Sequence, residues 1–570
     1  MSQLQNIMPV ELNSQPSLNS SSVESEVSDL KVGAAWLTGA SLSSLRELLD
    51  ACSQGVMRSA IHWVRVACQA KRIAADQPIA AEEILAGPAT VLRYLRLLSK
   101  VLQDAEKNGS PNLPGKPRAN SQGRECVPVL PVRSLFDGLT FMGLEAEIWR
   151  QKDSNPNELF TSNWRASDNT KANVVGVLGA GNVSSIPATD MLYKIFHNRE
   201  SVLLKLNPVN DYLEPIFKDA FRPLVDAKLL RIVCGGIEVG DAIVKHDSIG
   251  SLHLTGSHLT HDVIVWGSDP LERTARKREN RPLVTKSVTS ELGNVTPWII
   301  VPGLYTDKQL RTQAEHVVAG IVNNASFNCL ATKMIVTSRG WAQRVAFLDL
   351  IDAFFRKIPP RFAYYPGAHQ RFVRATGKPF PEASDGTLPW TLIRDTNPSE
   401  SPHLYEEESF VCVCAETQLA ENAPETFLES AVDFVNDRIF GTLCATLTLP
   451  SGFRQRQATA VDRALVKLRY GAVCINQWPG VAYGIMTPPW GGYPGATIAE
   501  PLSGIGHVHN TFCVSDIDKT VLWGPLCNFP KPAWFPTHQT ANQVAWDLLR
   551  LYDNPSIFRL PKLFFHALHG

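Results

Sequence analysis

Apolar residues recur at three- and four-residue spacing through LRELLDACSQGVM and ATVLRYLRLLSKVLQ, between about Ser41 and Glu106. That period lays one apolar stripe along a helix, so two to four helices are expected there. The next stretch, NGSPNLPGKPRANSQG, is a loop by its Pro, Gly and Asn content. From Val174 to Ser257 the pattern alternates. VVGVLG, SVLLKLN, LLRIVCGG and GSLHLTGS read as strands, and PATDMLYKIFHN, VNDYLEPIFKDAF and VGDAIVKH as the helices between them, with Pro187 in a first turn. Aliphatic strands separated by single amphipathic helices imply a parallel, doubly wound α/β sheet, which binds ligands at the carboxyl ends of its strands. Two glycine-bearing turns fall at such ends, Gly179-Ala180-Gly181-Asn182 and Thr255-Gly256-Ser257.

A second α/β region runs from about Leu292 to Val473, with PWIIV, AEHVVAGIVNN, KMIVTS, WAQRVAFLDLIDAFFRKI, SFVCVCAE and ATLTLP as its elements. From His507 onward Trp, Pro and Phe are frequent and periodicity weakens. No internal repeat occurs, which excludes solenoids and propellers. Residues 1–32 are rich in Ser, Asn, Gln and Glu and lack a basic start followed by an apolar core, so they read as a flexible tail and not as a signal peptide.

Composition narrows the function classes. A chain of 570 residues exceeds one ordinary core, so two or three domains are expected. Lys plus Arg equals Asp plus Glu at 55 each, which gives no electrostatic reason to bind nucleic acid or an anionic membrane. No apolar run reaches the roughly 20 residues of a membrane span. Eleven cysteines without paired CxxC clusters argue against a disulfide framework and a zinc site, so a reducing, cytoplasmic setting is expected.

One cysteine stands apart. Cys329 lies in NNASFNCLATK, where small neighbours (Ala325, Ser326, Ala331, Thr332) leave room for a substrate, as a nucleophilic thiol requires. Its bland reading is a buried hydrophobe, the expected state of Cys412, Cys414, Cys444 and Cys474 among aliphatics. The order of the surrounding blocks changes the balance. GAGNVSSIP, KLNP, HLTGS, SELG, FNCLATK, EESF and PPWGGYPGA follow one another as in the NAD(P)-dependent aldehyde dehydrogenase superfamily, which the chain resembles across roughly residues 170–510.

The resemblance implies that Cys329 attacks an aldehyde carbonyl, that the Asn182 amide and the Cys329 backbone N–H bind the oxyanion, and that Glu291 activates the water that hydrolyses the resulting thioester. It also implies a dinucleotide, NAD or NADP, held by Lys205, by the Thr255-Gly256-Ser257 turn, by Glu408 at the nicotinamide ribose and by Phe410 beside the ring. GAGNVS alone is a weak Rossmann signal, because the third glycine and a following acid are missing. Three positions depart from the family pattern: Pro208 where an acid often binds the adenine ribose, His261 in place of a glycine, and Gly293-Asn294 in place of two glycines.

The architecture expected is aldehyde dehydrogenase-like: two doubly wound parallel-sheet domains, an oligomerisation arm and an N-terminal helical segment. The boundaries are a tail at 1–32, helices at 33–125, the arm at 126–173, the dinucleotide-binding domain at 174–290, the catalytic domain at 291–488, a return to the cofactor domain at 489–515 and an extension at 516–570. A homodimer or homotetramer acting on a small aldehyde follows from the resemblance. Two other functions stay open, a CoA-linked reaction such as acyl-CoA reduction and a non-catalytic relative that binds or scaffolds. His258 and His261, spaced H-x-x-H, suggest a metal but lack a third ligand, so no metal is expected. His507 and His509 are expected to pack or hydrogen-bond, and the aromatic group Trp478, Tyr483, Trp490 and Tyr493 fits a pocket wall or a core equally well.

Overall fold

In the computed structural model, which describes residues 20–155, 157–161, 171–379 and 385–570, the chain begins with helix α1, Ser20–Gly39. The tail expected over 1–32 is therefore helical from Ser20 on, and its first 19 residues lie outside the described part. Polar composition hid an apolar stripe: Val23, Val27, Leu30 and Ala34 follow at spacings of four, three and four. These side chains pack with Val174, Leu203 and Val233 of the first sheet. Helix α2 (Leu42–Ala70) starts at Ser41, whose hydroxyl accepts the Ser44 N–H, and α3 (Thr90–Asn108) ends at Gly109, whose φ of 76° gives a left-handed cap.

Between α2 and α3 the helix is broken over Leu85–Ala89, where Pro88 removes a donor and Gly87 leaves helical geometry. The resulting turn docks on the glycine turn of the first sheet. Ser185 N–H donates to Ala86 O at 3.2 Å, and Trp63 Nε1–H donates to Ser184 Oγ at 2.9 Å.

The segment expected as an arm supplies strands β2 (Glu125–Leu130) and β3 (Glu145–Arg150), preceded by the short β1 (Arg118–Ala119). Residues 156 and 162–170 of that segment lie outside the described part. The first α/β unit holds β4 (Val174–Leu178), β5 (Ser201–Lys205), β6 (Leu230–Val233), β7 (Ser251–Gly256) and β8 (Ser287–Leu292). Its sheet is parallel throughout, in the order β6-β5-β4-β7-β8, as expected of a doubly wound fold. All five carboxyl ends share one edge. That edge brings together the turn after Leu178, Lys205, Gly256 and Glu291.

The chain passes directly from β8 into the second sheet, which contains β9 (Thr296–Ile300), β10 (Thr332–Ser338), β11 (Thr391–Ile393), β12 (Val413–Leu419), β13 (Cys444–Thr448), β14 (Ala472–Ile475) and β15 (Ile517–Trp523). Its ten strands run β1-β2-β3-β15-β14-β13-β9-β10-β12-β11. Strand β15 is parallel to β14 and antiparallel to β3, so it ties the hairpin to the α/β part of the same chain. The extension drawn from 516 thus opens with an inner strand, because Asp518 through Trp523 are all buried. Beyond it lie α4 (Ala541–Asp553) and α5 (Leu560–Leu568). Among the described residues no helix is long and apolar enough to cross a membrane.

Candidate active site

Glu291 stands at the end of β8, and Cys329 on the loop between the helix Asp307–Val322 and β10. Asn182 lies on the turn after β4. The three side chains line one cavity. Cys329 Sγ–H donates to Glu291 Oε1 at 3.3 Å, and Trp490 Nε1–H donates to the same oxygen at 2.9 Å. Glu291 Oε2 has no partner among the described residues. Lys286, the alternative ion-pair partner for Glu291, donates instead to the Val244 and His246 carbonyls, both at 2.7 Å.

Burial pushes the Glu291 carboxyl up to about 7, with the Asp190 charge adding to it and the bonds from Trp490 and Cys329 opposing it. Burial, followed by the carboxylates of Glu291 and Glu408, holds the Cys329 thiol well above its ordinary range. The resting sulfur is therefore a thiol whose proton already points at a carboxylate. Cys412, Cys414, Cys444 and Cys474 are buried, whereas Cys329 is partly open to the cavity.

The loop that carries Cys329 is shaped by three consecutive left-handed residues, Asn324, Ala325 and Ser326, at φ of 52°, 54° and 70°. Such a run costs energy for residues with a Cβ and persists only when held by its surroundings. Asn324 supplies the hold. Its Nδ2 donates to Asn182 O at 2.9 Å and Phe327 O at 3.0 Å, and its Oδ1 accepts from Lys71 Nζ and Tyr364 OH, both at 2.9 Å. Lys333 Nζ donates to Ser326 Oγ at 2.7 Å. Asn182 Nδ2 donates to Phe327 O at 2.9 Å, which uses one of its two N–H groups. Asn324→Ala is expected to lose about 2–3 kcal/mol, since it removes the amide bonds to Asn182 O and Phe327 O that hold the left-handed run and leaves Lys71 with Glu83 and Tyr364 with Asn182 O as acceptors. Urea unfolding followed by fluorescence checks this through a lowered midpoint.

The departure at Asn294 has a structural role. Its Nδ2 donates to Cys444 O at 3.1 Å, and its Oδ1 accepts from Thr296 Oγ1, whose hydroxyl also lies 3.1 Å from Cys329 O. Gly293 is needed for space, because a Cβ there would sit 1.8 Å from Glu408 Oε2.

The expected cofactor residues divide. Gly256 and Ser257 are exposed at the start of helix His258–Trp266, and Ser257 Oγ caps it by accepting the Thr260 N–H at 3.2 Å. The remaining N–H groups of that first turn suit a phosphate. Thr255 is buried and its hydroxyl donates to Asp190 at 2.8 Å, so its side chain is committed to the interior. Lys205 lies beside Gly240 at the same sheet edge, its pKa lowered by burial. Glu408 is raised by burial and drawn back by Lys333 and Arg371, and its Oε1 has no described partner. Phe410 packs on Tyr365 and Phe327, with ring centroids 5.1 and 5.9 Å away. An anion-ready helix start and a lysine at one edge of the first sheet, with the half-buried Glu408 carboxylate beside Gly293, are groups that could hold a dinucleotide. His261 is fully buried, 3.6 Å from Asp262 Oδ1, and His258 packs on Phe440.

Of the aromatic group, Trp478 and Tyr483 line the cavity and Tyr493 bonds Asp518 at 2.8 Å on the second sheet. His509 packs against Tyr94 and Tyr483. Trp490 takes the place of the phenylalanine in the Pro-Phe-Gly-Gly stretch that PPWGG resembles. A phenylalanine has no N–H to offer Glu291, and this substitution was the sequence signal for the contact. Trp490→Phe removes a bond that lowers the Glu291 pKa, so the acid-side limb of any rate that needs ionised Glu291 should move up by roughly half to one unit. A pH–rate profile of the variant measures it.

Residues 204–359 match the aldehyde dehydrogenase family model. Aldehyde dehydrogenase LUC3 from a Fusarium species is 24% identical over 172 residues, which is 30% of this chain and only 33% of that protein. Betaine aldehyde dehydrogenase from Staphylococcus aureus, solved with NAD+, superposes with a TM-score of 0.59 at 14% identity, covering 89% of each chain. The glyceraldehyde-3-phosphate dehydrogenase of Methanocaldococcus jannaschii, solved with NADP, gives 0.57 at 13% identity, covering 90% of this chain and 96% of its own. The matched segment contains Lys205, Gly256, Glu291 and Cys329, and over most of its length the chain has the fold of these aldehyde dehydrogenase structures.

Proposed function

We propose that the chain oxidises an aldehyde to a carboxylate with NAD(P), using Cys329 as nucleophile, Asn182 as oxyanion donor and Glu291 as base. The observation that carries this reading is the contact of Cys329 Sγ with Glu291 Oε1 at 3.3 Å in a cavity that Asn182 also lines. Glu291 accepts the thiol proton, and the sulfur forms a bond to the carbonyl carbon. The carbonyl oxygen, now an alkoxide, is held by the second Asn182 N–H and the Cys329 backbone N–H. Lys205, the Gly256-Ser257 turn and Glu408 would hold a bound NAD(P)+, which would supply a cationic ring and the hydride acceptor. Loss of hydride leaves a thioester on Cys329. Glu291, its thiol-derived proton released, then takes a proton from water. Addition of the hydroxide and rupture of the C–S bond give the carboxylic acid and return the thiol. The sum is one aldehyde, one water and one oxidised nicotinamide converted to one carboxylate, one reduced nicotinamide and two protons.

A carboxylate in contact with the sulfur favours water over an incoming CoA thiol as acyl acceptor. The test supplies the purified protein with an aldehyde panel plus NAD or NADP, and in parallel with acyl-CoA plus NADPH, and follows the absorbance of reduced nicotinamide. A rise with aldehyde supports the reading. A fall with acyl-CoA, without the rise, replaces it with acyl-CoA reduction, and silence in both favours the non-catalytic relative.

A further inference from the structure

The cavity that opens on Cys329 continues to residues that follow the last strand. Phe535, Ala541 and Leu548 line it together with Leu85 and Ala89 of the broken helix and Val481. Its volume is about 190 Å3. The wall is overwhelmingly apolar, and no Lys or Arg belongs to it. Its titratable members are Cys329, Tyr483, Tyr552, His538, Glu82 and Glu291. Glu82 Oε2 already accepts from the Asn324 N–H at 3.0 Å and from Arg361 at 3.1 Å. His538 is kept neutral by burial, its pKa pushed down to about 4. Arg93 lies nearby but is buried in a bidentate pair with Asp137 at 2.7 and 2.8 Å, and Lys71 is bound to Glu83 at 2.7 Å. A phosphate or carboxylate brought into this cavity would lose its water with no cation to meet it.

The wall after β15 is a fixed part of the site. Gln477 Nε2 donates to Pro525 O at 3.0 Å and Gln313 Nε2 to Leu526 O at 2.9 Å. His316, on the helix that leads to the Cys329 loop, bonds Asn528 Oδ1 at 2.8 Å. At the start of α4, Asn542 Nδ2 donates to Ala75 O and Gln77 O at 2.9 and 3.1 Å. The segment is thereby fastened both to the element that carries the thiol and to the loop ahead of the broken helix.

We infer that residues 525–553 form the specificity wall of the substrate chamber and that the substrate is an uncharged, apolar aldehyde whose tail lies against Phe535, Ala541 and Leu548. This rests on the reading of Cys329 as the group that meets an aldehyde. A propyl group leaves most of that wall untouched, whereas an octyl chain covers it. Transfer of the extra methylenes from water favours the longer chain by up to about a thousandfold in kcat/KM.

The test compares octanal, propanal and the anionic succinic semialdehyde with the full chain and with Ala541→Trp and Leu548→Trp, each of which fills the far chamber. Binding of the unreactive octanamide is measured by calorimetry on the same proteins. The expected result is a preference for octanal of up to about a thousandfold, rejection of the anion, and a drop of at least about tenfold in the octanal-to-propanal ratio in both variants, with weakened octanamide binding. An octanal-to-propanal ratio near unity, or one that neither variant changes, or preference for succinic semialdehyde, overturns the wall. If no aldehyde is oxidised while octanamide binds and both variants block it, the wall stands and the catalytic reading falls.

Discussion

Cys329→Ala is expected to abolish aldehyde oxidation, with kcat/KM lower by about four orders of magnitude or more, because no neighbouring group can take over covalent attack. The other sulfur closest in the fold, Cys444, is fully buried in β13, where burial holds its thiol far above the ordinary range. NAD(P) affinity should change by no more than about twofold, since Lys205 and the Gly256-Ser257 turn belong to the other sheet. Coenzyme titration by nicotinamide fluorescence, beside steady-state rates, separates the two effects. A residual rate within about tenfold of the parent would remove the thiol from the mechanism. The substitution also takes away the S–H bond to Glu291, so the carboxyl should titrate slightly higher in the variant.

Glu291→Gln is the second large effect, and it acts on a different step. Glutamine keeps the shape and can still accept the Trp490 N–H, yet it cannot receive a proton from water. Acyl transfer to Cys329 is therefore expected to outlast hydrolysis. Rapid mixing with aldehyde and NAD(P) should give a burst approaching one reduced nicotinamide per chain, slower than in the parent because the amide cannot take the thiol proton either, followed by a steady rate lower by roughly a hundredfold to ten-thousandfold. In the parent chain Glu291 can act as the proposed base only when ionised. With its carboxyl pushed up to about 7, the ionised fraction grows as pH rises through that value, so hydrolysis should climb between about pH 6 and 8 and level off above. The variant should show no such limb. If thiol deprotonation by Glu291 were equally slow, the burst itself would shrink, and its amplitude tells the two duties apart.

Much of this site was legible because its parts are separate motifs whose order survives in the chain. Asn182, Glu291 and Cys329 each follow a recognisable block, and the parallel order of β4 through β8 brings Asn182 and Glu291 to one edge by topology alone. The strands from Val174 to Gly256 were readable for a local reason: aliphatic runs bounded by glycine or polar turns set their own period. What escaped the sequence depends on contacts between distant residues. Helix α1 looks like a polar tail until its stripe of Val23, Val27 and Leu30 meets the sheet. Strand β15 is a short apolar run whose neighbours, β14 and β3, lie far away in sequence. Asn324 reads as one polar residue among several, and only the fold brings Lys71, Tyr364 and Asn182 to it.

The departures from the family pattern proved informative in different ways. Asn294, in place of a glycine, bonds the Cys444 carbonyl of β13 and the Thr296 hydroxyl, which also lies 3.1 Å from the Cys329 carbonyl oxygen. Trp490, in place of a phenylalanine, gives Glu291 a donor. His261, in place of a glycine, lies wholly in the interior, away from the exposed Gly256-Ser257 turn. Pro208 removes an acid that would favour NAD, and no described carboxylate bonds Lys205 in its stead.

The account turns on an acyl group resting on one sulfur. Peptide mass spectrometry of Glu291→Gln, quenched in acid after mixing with octanal and NAD(P), reads that directly. The expected result is a Cys329 peptide heavier by one octanoyl group, in amount equal to the reduced nicotinamide formed. Full nicotinamide reduction with Cys329 unmodified, or an octanoyl group on any other cysteine, would contradict it.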